Sequence, residues 1–126
     1  MSAQLVRDRR VLLVRVAGEL DLATAPVLDQ VLRTATRLLS GTSNRTAEPD
    51  RDRDRDRRGL WVDLARLQSV DVAGLAPLRS AQQRLLAEDR HLRLTVVPAR
   101  VLRLLTRLPD PQLLHAAVRS DAGSAT

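Results

Sequence analysis

Cysteine is absent from the 126-residue chain, so disulfide bonds and thiolate-ligated metal sites are excluded. Aromatic residues are nearly absent as well, since Trp61 is the one aromatic side chain. A core must therefore be assembled from Leu, Val and Ala, and few rings exist on which nucleic-acid bases could stack. No apolar run approaches the roughly 20 residues of a membrane-spanning helix, and the amino terminus has no signal-peptide pattern. We therefore expect a soluble, cytoplasmic protein with no membrane span.

Lysine is also absent, and the formal net charge of +6 is carried by arginine. Residues 45–58 hold six arginines and five acidic residues, so this conspicuous stretch contributes a net charge of only +1. The remaining arginines are scattered along the chain, which is typical of solvated faces rather than of a nucleic-acid surface. We therefore expect no DNA partner, and an arginine-mediated nucleic-acid binder stays as an alternative.

Hydrophobic periodicity predicts two strands and a helix in the first third of the chain. Residues 3–7 and 11–17 have the apolar, β-branched character of paired antiparallel strands. Apolar residues then recur at spacings of three and four from Val27 to Leu39, which predicts an amphipathic helix. Thr24 is its expected N-cap and Gly41 its expected end.

The second half of the chain predicts alternating strands and helices. Residues 60–64 are typical of a buried strand, and a loop carrying Asp71 leads from it into a helix with an apolar face. Residues 92–97 predict another strand, Pro98 the start of a third helix, and residues 113–118 a last edge strand. Pro77 predicts either a kink in the second helix or a start after Gly74, because proline inside a helix costs about 3 kcal/mol.

This alternation predicts an α/β fold in a single domain over residues 1–118. We expect a mixed, mostly parallel sheet of four to five strands flanked by about three helices. Residues 41–58 are predicted to be a flexible charged insertion, and residues 119–126 a disordered tail.

The insertion superficially resembles a calcium-binding loop. Asp50, Asp52 and Asp54 match the opening of such a loop, but Arg55 stands where the loop requires glycine. We therefore expect no metal site.

No catalytic arrangement is evident in the sequence. His91 and His115 are far apart, no serine has an adjoining base, and neither of the common glycine-rich phosphate-binding motifs occurs. We therefore expect neither an enzyme nor a bound cofactor.

Three segments together resemble STAS domains of the anti-sigma factor antagonist type. Residues 18–26 resemble the family's approach to its first helix, residues 62–64 its central strand, and residues 70–75 its signature loop, normally Asp-Ser-Ser-Gly. The resemblance implies a non-enzymatic domain that docks onto an anti-sigma factor, usually a GHKL-type serine kinase, and so releases a sigma factor. It also implies that phosphorylation of the first loop serine prevents docking.

The chain departs from the family at the signature loop. Val72 occupies the position of the phosphorylated serine and Ala73 the position after it, so neither can accept a phosphate. A phosphoserine there would add a charge of about −1.5 to −2. Either the domain is permanently competent to bind, or the site has decayed and the domain is a scaffold subunit of a transporter or stress-signalling complex.

The resemblance implies a partner-binding surface formed by both loops: Glu19, Asp21, Thr24, Asp71, Val72, Ala73, Gly74 and Leu75. Solvated turn carboxylates are the alternative interpretation of Glu19 and Asp21. Asp63 is expected to be a structural carboxylate bonded to loop N–H groups, and Ser69 lies on the strand side of the loop.

Overall fold

The computed structural model describes residues 1–8, 11–42, 59–108 and 111–124. The elements are, in chain order, β1 (Ser2–Asp8), β2 (Val11–Leu20), α1 (Ala25–Thr42), β3 (Gly59–Val70), α2 (Val72–Ala87), β4 (His91–Thr95), α3 (Ala99–Arg107) and α4 (Pro111–Ser124). Most of the predicted insertion, residues 43–58, lies outside the described residues.

The strands form one sheet in the order β1-β2-β3-β4. β1 runs antiparallel to β2, whereas β2, β3 and β4 are mutually parallel. This confirms the predicted α/β class and the mixed, mostly parallel sheet. The described residues contain four strands and four helices, against the predicted four to five strands and about three helices.

The core lies where one sheet face meets the helices. Val14, Val62 and Leu94 are fully buried and occupy neighbouring positions across β2, β3 and β4. Two parallel crossovers of the usual right hand place α1 and α2 over the same face, and the two helices contact each other there. Within the described residues the buried cluster consists of Leu, Val and Ala, as the shortage of aromatics predicts.

Two predicted boundaries, the end of α1 and the end of β4, need correction. Helix α1 continues to Thr42, so Gly41 does not end it, and Val27 and Leu38 are exposed rather than part of its buried stripe. Strand β4 ends at Thr95 instead of reaching residue 97. It stops there because Val96 has φ of +50°, outside the extended region, and is 61% exposed.

The predicted last strand is wrong, because residues 113–118 belong to helix α4. Leu113, Ala116 and Ala117 are buried at helical spacing. A short apolar run fits a strand or a helix equally well by periodicity alone, which explains the error. The predicted domain limit at residue 118 lies inside this helix, which includes residues 119–124 of the predicted tail.

Strand β3 extends without interruption to Val70 and contains more residues than its neighbour β2. Its register with β2 shifts after Asp63, which pairs with Arg15, so one extra residue of β3 bulges. The Asp63 carboxylate accepts a hydrogen bond from the Ala65 N–H at 2.9 Å. Asp63 therefore supports the backbone of its own strand, rather than the loop that we predicted.

Gln82 joins three elements from the buried face of α2. Its side-chain oxygen accepts a hydrogen bond from the Leu92 N–H in β4 at 2.9 Å, and its amide nitrogen donates to the Gln112 carbonyl in α4 at 3.4 Å. Strand β4 is at the edge of the sheet. Gln82 therefore satisfies a buried N–H that no further strand of this sheet can reach.

Replacing Gln82 with leucine should destabilise the domain by about 1–3 kcal/mol, because the Leu92 N–H would stay buried without an acceptor. Urea unfolding followed by circular dichroism measures this change. Gln83→Leu, at the exposed neighbouring position of the same helix, is the matched control and should change the stability by less than about 0.5 kcal/mol. Equal effects of the two substitutions would contradict the assignment.

Candidate docking site

The loops after β2 and β3 lie side by side at the carboxyl ends of these strands. Leu20 pairs with Val70 at the last register position of the two strands. One residue further on, the Asp71 N–H donates a hydrogen bond to the Leu20 carbonyl at 3.1 Å. The structure therefore brings together the two segments that the sequence analysis assigned to one surface.

The first loop is closed by reciprocal hydrogen bonds between Asp21 and Thr24. The Thr24 N–H donates to the Asp21 carboxylate at 3.0 Å, and the Asp21 N–H donates to the Thr24 hydroxyl at 2.9 Å. That hydroxyl in turn donates to the Glu19 carbonyl at 2.8 Å. Thr24 directly precedes α1 as predicted, but its hydroxyl forms hydrogen bonds within the loop. The side chains of Asp21 and Thr24 are half-buried, whereas that of Glu19 is exposed.

The second loop is a single residue, Asp71, which caps helix α2. Asp71 is extended, with φ −123° and ψ 177°, and its carboxylate accepts a hydrogen bond from the Gly74 N–H at 2.8 Å. This geometry is that of an N-cap. The helix begins at Val72 and includes Pro77, so the predicted start after Gly74 is wrong. The alternative that we named, a kink at Pro77, stays a prediction.

Gly74 lies against the end of β2. A Cβ atom at this position would stand 2.3 Å from the Leu20 carbonyl oxygen and 2.6 Å from its carbon. Both are backbone atoms, which cannot move aside without distorting the strand. The first turn of α2 therefore requires glycine here, and this requirement explains the glycine of the Asp-x-x-Gly segment.

Two of the predicted partner-binding residues are buried. Leu75 has no exposed surface and belongs to the core, and Gly74 is covered by the end of β2. Neither can touch a docked protein, so their role is to position the loops. Ala73 is half-buried, and Asp71 and Val72 are exposed, Val72 by 51%.

Leu22, which was not among the residues predicted from the sequence, is 75% exposed in the first loop. A leucine between turn-forming residues, outside any strand or helix period, was the available signal. Val27, in the first turn of α1, is also exposed. We define the loop surface as Glu19, Leu22, Val27, Asp71 and Val72. It places three exposed aliphatic side chains and two carboxylates around one pair of adjacent loops.

Neither a metal centre nor a membrane span is present in the part of the chain that the structure describes. Within residues 1–8, 11–42, 59–108 and 111–124, no three His, Cys, Asp or Glu residues converge as metal ligands. No helix of these ranges has the length and apolar character needed to cross a bilayer.

The sequence profile of the STAS domain matches residues 2–114. The chain belongs to the STAS domain family. Its match covers every element of the sheet, both loops and the start of α4, so the sequence landmarks and the fold lead to the same family.

Solved structures with the fold of this STAS domain include anti-sigma factor antagonists. One from Mycobacterium paratuberculosis is 21% identical with a TM-score of 0.64, covering 98% of this chain and 92% of the other. The anti-sigma factor antagonist SpoIIAA in its unphosphorylated form is 17% identical with a TM-score of 0.59, covering 86% and 84%. The phosphorylated Bacillus cell fate determinant SpoIIAA is 16% identical with a TM-score of 0.60, covering 98% of both chains. No curated protein matches this STAS domain in sequence.

Substituting Gly74 with alanine should destabilise the STAS domain by about 2 kcal/mol or more, since the new methyl group overlaps the Leu20 carbonyl. The sign of the change in stability is informative, because an unhindered glycine-to-alanine change inside a helix stabilises a protein by roughly 0.5–1 kcal/mol. Ala76→Gly, at an exposed position of the same helix, controls for helix propensity and should cost about 1 kcal/mol. Denaturant unfolding compares the three proteins, and a Gly74→Ala variant as stable as the parent would exclude the close approach.

Proposed function

We propose that this STAS domain is a non-enzymatic regulatory protein that binds an anti-sigma factor through the loop surface and thereby releases a sigma factor. The observation that carries the proposal is the exposure of Leu22 in the first loop and of Val72 directly after the second, where the Asp71 N–H bond to the Leu20 carbonyl joins the two segments. The anti-sigma factor antagonists of the same fold support the kind of partner. Such a partner meets the domain in the cytoplasm, where transcription takes place.

The composition of the loop surface suits protein binding. Its aliphatic side chains can form a dry centre, and the exposed carboxylates of Glu19 and Asp71 can form part of a polar rim. The carboxylates also favour a partner that presents basic side chains at this rim. This acidic character is opposite to the arginine-mediated nucleic-acid alternative.

The loops are ordered before any partner arrives. The Asp21–Thr24 pair closes the first loop, and the Asp71 cap and the Gly74 contact hold the second against it. A binding surface that is already ordered loses less conformational entropy on association. Such preorganisation would strengthen the binding of a partner to the two loops.

Val72 removes the phosphoserine switch from this surface. Its exposed side chain occupies the first helical position, where a phosphoserine would bring about two negative charges into the interface. No hydroxyl is present there, so an anti-sigma factor of the GHKL serine kinase type cannot phosphorylate the position. We propose that the domain is therefore always competent to bind. Ser69 is exposed, but it lies within β3 opposite Glu19.

A charge at position 72 should weaken partner binding. Candidate GHKL-type anti-sigma factors are titrated with the parent and with Val72→Asp, and the variant should bind at least about tenfold more weakly, or about 1.4 kcal/mol. Leu38→Asp is the control, because Leu38 is also an exposed aliphatic side chain but lies about 16 Å along α1 from Val27, at 1.5 Å per residue. An equal loss in both variants, or no binding of any candidate by the parent, would count against the proposal.

Phosphate transfer should depend on the residue at position 72. Incubation with the bound kinase and labelled ATP should leave the parent unlabelled, whereas Val72→Ser should incorporate label at that position and then dissociate. Val72→Ala is the control for the loss of the valine side chain and should stay unlabelled and bound. Stoichiometric labelling of the parent at Ser69 would overturn the claim that the switch is missing.

A further inference from the structure

The sheet has a second face that lies outside the core. Side chains alternate between the two faces of a strand. The buried aliphatic side chains of β2, β3 and β4 form one cluster with the buried residues of the four helices. Among the described residues, no side chain that the strands direct to the second face is buried. We call this second face the open face, and two neighbouring rows of side chains define it.

The first row of the open face is largely apolar. Val6 in β1 pairs with Leu13 in β2, which pairs with Trp61 in β3. All three are half-buried, although none belongs to the core or packs against it. Arg93 in β4 ends the row, with its guanidinium carbon 5.1 Å from the centroid of the Trp61 ring, a cation–π contact that helps to hold the indole in place. The only aromatic side chain of the chain therefore lies outside the core, and tryptophan is among the residue types that dominate protein interfaces.

The second row of the open face is polar and carries both signs of charge. Gln4 in β1 pairs with Arg15 in β2, Arg15 with Asp63 in β3, and Asp63 with Thr95 in β4. Arg15 and Asp63 are neighbours of opposite charge, yet no ion pair joins them within residues 1–8, 11–42, 59–108 and 111–124. The Ala65 N–H uses only the Oδ1 atom of Asp63. Both charges are therefore available to a surface that faces the sheet.

We propose that the open face packs against the open face of a second copy of this chain, about a two-fold axis parallel to the strands. Such an axis places β2 of one protomer over β3 of its partner and keeps each row opposite the same row. Arg15 then faces the partner's Asp63, and Leu13 faces the partner's Trp61. Symmetry repeats both contacts, so the two charges and the two apolar groups are all matched. Sheets that pack face to face in this aligned way lie about 10 Å apart.

The pattern of charges favours this occupant and this axis. A two-fold interface requires a surface that is complementary to itself. The open face meets this requirement because its positive and negative side chains occupy the positions that the axis exchanges. An axis across the strands would instead place Arg15 over the partner's Leu13, a charge against an apolar group. The observed rows therefore match only the parallel arrangement.

The size of the open face sets the expected strength of the dimer. Four strands at a spacing of about 4.8 Å make a face only about 19 Å wide. This width is small for a stable interface, so we expect a weak dimer with a dissociation constant of roughly 10 µM or more.

The dimer leaves the loop surface free. Asp63 lies seven residues before Val70, or about 23 Å along β3 at 3.3 Å per residue. Because the axis is parallel to the strands, the two loop surfaces lie at the same end of the dimer. The inference does not depend on the proposed binding of an anti-sigma factor.

Sedimentation equilibrium of the full chain, from about 5 to about 500 µM, tests the dimer. The parent should associate, and Arg15→Asp and Asp63→Arg should each weaken self-association at least about tenfold, because each places like charges opposite one another. An equimolar mixture of the two variants should recover the affinity of the parent to within about threefold, since only the mixed dimer pairs opposite charges at both sites. Arg103→Asp makes the same charge change at an exposed position of α3 and should alter the affinity less than about twofold.

The fluorescence of Trp61 provides a second test that needs no substitution. It is the only tryptophan, and the chain has no tyrosine, so its emission reports on the open face alone. Quenching by acrylamide should fall as the parent is concentrated, because the partner covers the ring, and should stay constant in Arg15→Asp. Circular dichroism establishes that each variant is folded.

A parent that stays monomeric at every concentration overturns the proposal and leaves the open face to a partner of another kind. A dimer that Arg15→Asp does not weaken, or that Arg103→Asp weakens equally, places the contact elsewhere and also overturns it. A mixture that associates no better than the separate variants excludes the proposed axis. None of these measurements involves an anti-sigma factor, so failure here leaves the proposed function untouched.

Discussion

The contact between Gly74 and the Leu20 carbonyl is the constraint on which the rest of the site depends. With room for no side chain, the first turn of α2 packs directly on the end of β2. The Asp71 N–H reaches the same carbonyl, and the Asp71 carboxylate caps the helix through the Gly74 N–H. Two of these interactions hold the second loop against the end of β2, and the third fixes the second loop to its own helix. The orientation of Val72 follows from them, because it is the first residue after the cap.

This constraint involves only two of the four residues of the Asp-x-x-Gly segment. The scaffold needs an acceptor at Asp71 and a glycine at Gly74, and both are present. The two positions between them, Val72 and Ala73, contribute no hydrogen bond to the geometry described above. Their side chains can therefore change without loss of the loop conformation.

The parts of the site that depend on neighbouring residues in the chain were predictable from the sequence. The Asp71 cap follows from a carboxylate three residues before a helical N–H, and Thr24 was correctly placed before α1. Leu75 was wrongly predicted to lie at the surface, and Leu22 was not predicted at all. The exposure of a side chain depends on which elements of the fold pack over it, and not on the adjacent residues in the chain. Leu75 faces the core, whereas Leu22 lies in a turn and is 75% exposed. The same reason explains Val27, which fits the apolar stripe of α1 in sequence but is exposed at its amino-terminal end.

By itself, the sequence determined the α/β class, the alternation of strands and helices, the aliphatic core and the absence of a hydroxyl at position 72. These properties depend on composition and short-range periodicity, which are the same however the segments pack against one another. Only the tertiary structure decided that residues 113–118 are helical, that Gly74 meets the Leu20 carbonyl, and that Gln82 bonds both the edge strand and α4. Each of these features depends on contacts between residues that are distant in the chain. The packing of the sheet and helices brings these residues together, and no local sequence pattern encodes that packing.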